Sequence, residues 1–223
     1  MEPTQIVAID GPAGAGKSSV ARKVAERLGF RFLDTGAMYR AATWWAMHRG
    51  VDLADPDAVA AITNELPLEM REENGVLRVF VDGEDVTQAI RSPEVTRQIY
   101  RIDENARVRE HLVKLQREYA ARGPTVAEGR DMGTVVFPHA KCKIYLGASL
   151  DERTRRRQRE MAEKGLETEF EQLREEIRIR DERTMTRAVA PLRRAPDAIL
   201  VDTTGMSVAE VVATIVELAR AKL

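Results

Sequence analysis

The sequence of 223 residues predicts an α/β fold, a parallel sheet flanked by helices, with room for an inserted subdomain. Three observations carry that prediction. Short apolar runs of strand length alternate with stretches of helical period: Ile6-Val7-Ala8-Ile9, Phe30-Arg31-Phe32-Leu33, Thr125-Val126-Ala127, Lys143-Ile144-Tyr145-Leu146 and Ala198-Ile199-Leu200-Val201. The first run leads into Gly11-Pro12-Ala13-Gly14-Ala15-Gly16-Lys17-Ser18, which fits the phosphate-binding pattern of Gly, four residues, then Gly-Lys-Ser/Thr. Between the second and third runs, alternating residues around Asn74-Gly75 and Asp82-Gly83 interrupt the rhythm with a small antiparallel meander.

In the loop, glycines let backbone N–H groups close around phosphate oxygens, and the next helix points its N-terminal dipole at the same charge. Lys17 is expected at the β- and γ-phosphates and the Ser18 hydroxyl on Mg²⁺. Val20, Val24 and Leu28, beside Ala21 and Ala25, give that helix its buried face. After the second strand, Asp34-Thr35-Gly36 reads as the turn into a helix carrying Ala37 to Met47 and ending near Gly50. Loops at the carboxyl ends of strands line the ligand crevice of such a sheet, which assigns Asp34 to Arg40 to the crevice. Thr35 and Arg40 suit a second phosphate; alternatively Thr35 only caps the helix and Arg40 is solvated.

The meander sets Leu68 and Met70 before Asn74-Gly75 and Leu77, Val79 and Val81 after it. It reads as a mobile acceptor-binding lobe or as a plain excursion. Ser92-Pro93-Glu94 starts a helix with a capping hydroxyl and Pro at its first position, and Val95, Ile99 and Ile102 form its stripe. Asn105 caps the next, with Val108, Leu112, Leu115 and Tyr119 inward and Arg107, Arg109, Lys114 and Arg117 on the polar side. Gly123-Pro124 ends it, and the third strand delivers Glu128-Gly129-Arg130-Asp131 to the crevice edge. Charges there need a ligand or each other, so a site and a structural Arg-Asp pair are both open.

Asp151 to Arg159 is a basic run on a helix that breaks near Lys164-Gly165. A second helix runs from Thr168 to Arg183, with Phe170, Leu173, Ile177 and the stem of Arg180 along one side. A solvated face is the plain reading, while the phosphate loop upstream favours a lid closing over a triphosphate. Val208, Val211, Val212, Ile215, Val216 and Ala219 pattern the closing helix. Asp202-Thr203-Thr204-Gly205 matches the Asp-x-x-Gly of GTPases, but it lies on the last strand and no Asn-Lys-x-Asp accompanies it.

A formal net charge of -1 with 32% charged residues speaks against a generic nucleic-acid binder or a disordered tail. The one cysteine, Cys142, has no internal partner and reads as a small core residue, which fits a reducing compartment. Met1 to Thr4 lead straight into the first strand, and no apolar run approaches the ~20 residues that cross a membrane. A cytosolic protein is expected.

With these segments placed, the chain resembles bacterial cytidylate kinases from end to end. The resemblance rests on Ile9-Asp10 with the loop through Ser18, on Leu33-Asp34-Thr35-Gly36-Ala37-Met38-Tyr39-Arg40, on Glu128 to Pro138, and on Arg187-Ala188-Val189-Ala190-Pro191-Leu192. It implies a P-loop three-layer sandwich with a five-stranded parallel core sheet, an inserted antiparallel lobe for the nucleoside monophosphate and a helical lid. The core would comprise residues 1–34, 123–150 and 184–223, the acceptor region 35–122 with the meander at about 66–90, and the lid 151–183.

The implied reaction carries the γ-phosphoryl group of ATP to CMP or dCMP with Mg²⁺, in a cytoplasmic monomer that binds neither nucleic acid nor membrane. Gly11, Pro12, Ala13, Gly14, Ala15, Gly16, Lys17, Ser18 and Ser19, with Arg153, Arg156 and Arg157, fall on the donor site. Thr35, Arg40, Arg130 and Arg187 match positions that hold the acceptor phosphate. Arg109 and Asp131 match those that read the cytosine, Tyr39 lies beside them in the acceptor set, and Arg180 matches the arginine at the ribose. Lys17, Arg130, Asp131 and Arg187 are the implied catalytic set, with Ser18 the metal ligand. Two positions depart from the family: Tyr100 stands where a serine usually touches the base, and Thr184 where an aspartate usually meets the ribose 2′-hydroxyl.

Overall fold

The computed structural model describes residues 5–73, 76–163 and 165–223. The Met1 to Thr4 lead-in, the turn at Asn74-Gly75 and Lys164 at the helix break lie outside the described residues. Along the chain run β1 (Ile6–Asp10), α1 (Lys17–Leu28), β2 (Arg31–Asp34), α2 (Thr35–His48), α3 (Pro56–Asn64), β3 (Leu68–Glu73), β4 (Val76–Val81) and β5 (Glu84–Asp85). Then follow α4 (Pro93–Gln98), α5 (Tyr100–Asp103), α6 (Ala106–Ala120), β6 (Thr125–Gly129), β7 (Cys142–Gly147), α7 (Leu150–Glu163), α8 (Phe170–Thr186), β8 (Ile199–Asp202) and α9 (Val208–Lys222). The chain divides into two compact units, Met1–Leu33 with Ala120–Leu223, and Asp34–Tyr119.

The first unit is built on a five-stranded parallel sheet in the order β2-β6-β1-β7-β8. Every residue of β1 and of β6 is buried, as expected of central parallel strands covered on both faces. The register sets Ile9 beside Glu128 and Asp10 beside Gly129 on one side of β1, and Asp10 beside Tyr145 on the other. From β1 the chain proceeds to β2 on one side and later to β7 and β8 on the other, so the switch point of the sheet lies at β1. Val20, Ala21, Val24 and Ala25 bury one face of α1, which packs against α9. Ser207 and Glu210 start α9 with a reciprocal capping box.

The second unit surrounds its own core. Tyr39, Ala42 and Trp45 of α2, Val59 of α3, Val79 and Val81 of β4, Ile102 of α5 and Leu112 of α6 form one cluster. In the meander Leu68 pairs with Val81 and Met70 with Val79, the register the alternation predicts. Asp82 (φ 51) and Gly83 (φ 79) both take left-handed backbone, the I′ type of two-residue turn, and join β4 to β5.

The structure departs from the sequence reading in several places. Helix α3 was not foreseen, although Asp55 caps it and Pro56 opens it. The helix expected from Ser92 divides at Ile99 into α4 and α5. Asp34, not Thr35, caps α2: its carboxylate accepts from the Ala37 N–H at 2.9 Å. Helix α8 begins at Phe170 and reaches Thr186, and it buries Leu173, Ile177 and Asp181 while Arg180 is exposed. Among the described residues, no helix is long and apolar enough to cross a membrane.

Candidate active site

The phosphate loop joins the end of β1 to the start of α1, at the sheet's switch point. Gly11 is obligatory there, because a Cβ would lie 2.3 Å from the carbonyl oxygen of Leu146 on the neighbouring strand. Lys17, half-buried, folds back so that Nζ donates to the Pro12 carbonyl at 2.9 Å. Arg130 Nη1 donates to the Gly11 carbonyl at 2.6 Å, which brings its guanidinium to the same loop. Burial, then the nearby charge of Arg130, and more weakly that of Arg180, push the Lys17 ammonium down to about 7 against the opposing pull of Glu128 and Asp10. Lys17 and Arg130 thus meet at a loop whose geometry suits an anion.

Buried carboxylates complete the floor. Ser18 Oγ donates to Glu128 Oε1, a carboxylate only 4% exposed. Asp10 accepts from the Met132 and Gly133 N–H groups, each at 2.8 Å, and so fastens β1 to the wide helical turn Met132–Val136 that follows Asp131. Burial outweighs those two bonds and raises the Asp10 carboxyl to about 6. Arg187, 9% exposed, donates from Nε and Nη2 to the carbonyl of Ala190, a residue held at φ 48.

Beside the loop opens a cavity of ≈ 570 Å³, lined by Gly14, Ala15, Gly16, Ser19 and Val20, by α7 from Glu152 to Glu163, and by Thr203, Met206, Ser207, Val208 and Val211. Arg156 spans it: Nε meets Glu152 at 3.0 Å, Nη1 the Thr203 hydroxyl at 3.0 Å and Nη2 the Thr203 carbonyl at 2.6 Å. Arg157 pairs with Glu160 at 2.8 Å on the exposed side. Arg153 is instead buried, bound to Asp181 and to the carbonyls of Ala13 and Ala148. Arg180 and Thr184 follow on α8, where the Thr184 hydroxyl donates to the Arg180 carbonyl at 2.8 Å.

The remaining candidates belong to the second unit. Thr35 and Tyr39 are buried on α2. Arg40 is part-buried, with Nη1 donating to Thr96 Oγ1 at 2.7 Å and to the Ile90 carbonyl at 3.3 Å, so the solvated alternative fails. Arg109 is 3% exposed, with its guanidinium 5.3 Å from the Tyr39 ring centroid, which corrects its placement on the polar side of α6. Arg101 covers the Tyr100 ring at 4.9 Å.

Glu128 stood at the crevice edge in the sequence reading without an assigned role, and Asp10 and the β8–α9 turn were absent from the sequence-derived site. The register at Ile9–Glu128 is the signal that finds the first, since an acid ending the strand beside β1 must face the loop's neighbourhood. The Asp202 to Gly205 segment contributes Thr203, which walls the cavity and holds Arg156.

A family model described as cytidylate kinase matches residues 7–221. A cytidylate kinase of Shouchella clausii is 49% identical over 214 residues, covering 96% of this chain and 95% of that one. One of Lactiplantibacillus plantarum is 50% identical over 212 residues, covering 95% and 93%. A bifunctional pantoate ligase/cytidylate kinase of Trichormus variabilis is 48% identical over 95% of this chain, which spans 40% of its length. Among solved structures, TT1252 from Thermus thermophilus has a similar fold, with a TM-score of 0.52, 20% identity and coverage of 100% and 99%.

Proposed function

The chain belongs to the cytidylate kinase family, and from that premise we propose the full reaction: ATP and CMP, or dCMP, give ADP and CDP, or dCDP, with Mg²⁺ at the phosphate loop. It is a nucleotide kinase that phosphorylates CMP. The observation that carries the donor half is the meeting of Lys17 and Arg130 at the phosphate loop, where burial and like charge already hold Lys17 near 7. A bound triphosphate relieves that repulsion and returns the lysine to its charged form.

The attacking group is a phosphate oxygen of the acceptor, ionised at neutral pH, so the chemistry requires alignment and charge neutralisation rather than a general base. Lys17 neutralises the donor phosphates, and the guanidiniums of Arg130 and Arg187 bind phosphate oxygens in pairs. Ser18 and Glu128 present adjacent hard oxygen donors, a fit for Mg²⁺, which takes one or two protein oxygens along with phosphates and water. The chemistry such an ion would supply there, when bound, is positive charge against the charge that develops on the donor phosphates during transfer. The ≈ 570 Å³ cavity has the size for the donor nucleoside, with Arg156 and Arg157 on its wall.

For the acceptor, Thr35 and Arg40 join Arg130 and Arg187 at the phosphate. Tyr39, Tyr100, Arg109 and Asp131 take the base, and Arg180 and Thr184 the ribose. The proposal keeps residues 151–183 as a lid, since closing over both substrates excludes the water that would hydrolyse ATP. Its setting is the cytoplasm, consistent with one buried, unpaired cysteine, and its working form a monomer. A coupled ADP assay with CMP, dCMP, UMP and AMP tests the reading: CMP should be turned over best, and a preference for UMP or AMP would overturn it.

A further inference from the structure

Both backbone polar groups of Ala13, in the phosphate loop, are held from outside the loop. The Ala13 N–H donates to Asp181 Oδ1 at 3.0 Å, and the Ala13 carbonyl accepts from Arg153 Nη1 at 2.9 Å. That Nη1 also donates to Asp181 Oδ2, which closes a ring of backbone, guanidinium and carboxylate. Arg153 Nε is engaged by the Ala148 carbonyl at 3.1 Å. Both side chains are buried, 7% and 8% exposed, so neither charge is tolerable without the other. The contact is also close: a Cβ on Gly14 would lie 3.2 Å from Cβ of Arg153.

We propose that Arg153 and Asp181 form a clamp, a pair of positioning residues that set the shape of the phosphate loop for the donor and tie it to α7 and α8. Arg153 precedes Arg156 and Arg157 by one helical turn, and Asp181 directly follows Arg180. The helices that present those guanidiniums are therefore anchored to Ala13, the residue before the glycine turn at Gly14. Donor phosphate, loop shape and arginine placement become one linked arrangement. In this reading Arg153 acts through the loop and does not itself meet the triphosphate, unlike the expectation from the basic run. The clamp rests on the donor-site reading above.

The test compares the parent with Asp181→Asn and Arg153→Met, and with the double variant Asp181→Leu/Arg153→Met, in which no buried charge is left unpaired. Steady-state kinetics varying ATP and CMP separately are paired with calorimetric titration by ATP, which reads the clamp whatever the acceptor. The expected result is a KM and Kd for ATP raised about tenfold or more in each, with the CMP KM within about twofold of the parent. The double variant should be no worse than the single ones, because all three lose the same ring. ATP affinity within about twofold of the parent in a folded double variant would overturn the clamp, as would single effects that multiply. Parent protein that binds ATP but leaves CMP unphosphorylated would instead overturn the acceptor reading alone.

Discussion

Burial and the nearby Arg130 guanidinium hold the Lys17 ammonium down to about 7, which marks it as a position tuned for the donor phosphates. Lys17→Ala and Arg130→Ala, each checked for native circular dichroism, should lower kcat/KM by about a hundredfold or more, since each removes charge placed where phosphoryl transfer needs it. Activity near that of the parent would remove the residue from the mechanism. Thr184 sets a second expectation. A threonine hydroxyl offers the ribose 2′-hydroxyl a neutral bond, and here it is also engaged with the Arg180 carbonyl, whereas a carboxylate offers a charge-assisted one. Thr184→Asp should therefore sharpen the preference for CMP over dCMP by ~1 kcal/mol or more. Equal CMP/dCMP ratios of kcat/KM in the two proteins would refute this.

The elements differ in how plainly their sequences announce them. Strand β1, the loop and α1 are legible because their signals are local: an apolar run, spaced glycines and a stripe at Val20 and Val24. Helix α3 hid behind Asp52, Asp55-Pro56 and Asp57, residues that read as a turn unless Asp55 is taken as a cap and Pro56 as the first helical residue. The engagement of Arg153 was beyond any local pattern. Its loop partner Ala13 and its carboxylate partner Asp181 are 168 residues apart, and only the folded sheet brings the two together. Periodicity assigns Arg153 to a helix but not to a partner, and the same holds for Arg109 under Tyr39. At α9 the local signal suffices: Ser207→Ala removes one half of a capping box and should cost about 1 kcal/mol, read as a lower urea midpoint.

Across the whole molecule, the buried Asp10 couples catalytic architecture to folding. Its carboxyl rises from the ordinary 3.8 to about 6, so the folded protein holds that proton more tightly than the unfolded chain does. Its contribution to stability is therefore greatest below pH 4 and is lost as the pH climbs through about 6. Urea midpoints of ligand-free parent and Asp10→Asn, measured from pH 4 to 8, should show the parent's relative stability falling across that window and level above it; a constant difference would contradict the assignment. The sheet order has a different consequence, for biosynthesis. Strands β1 and β2 are made first, yet they are not neighbours, since β6 lies between them. Strand β6 is translated only after the whole of Asp34–Tyr119, a contiguous segment with its own apolar core. On the ribosome the guest unit can thus complete its contacts while the host sheet still waits for its central partner. Ile6 to Ile9 of β1 and Phe32 and Leu33 of β2 then remain without their sheet partner on the nascent chain until β6 emerges.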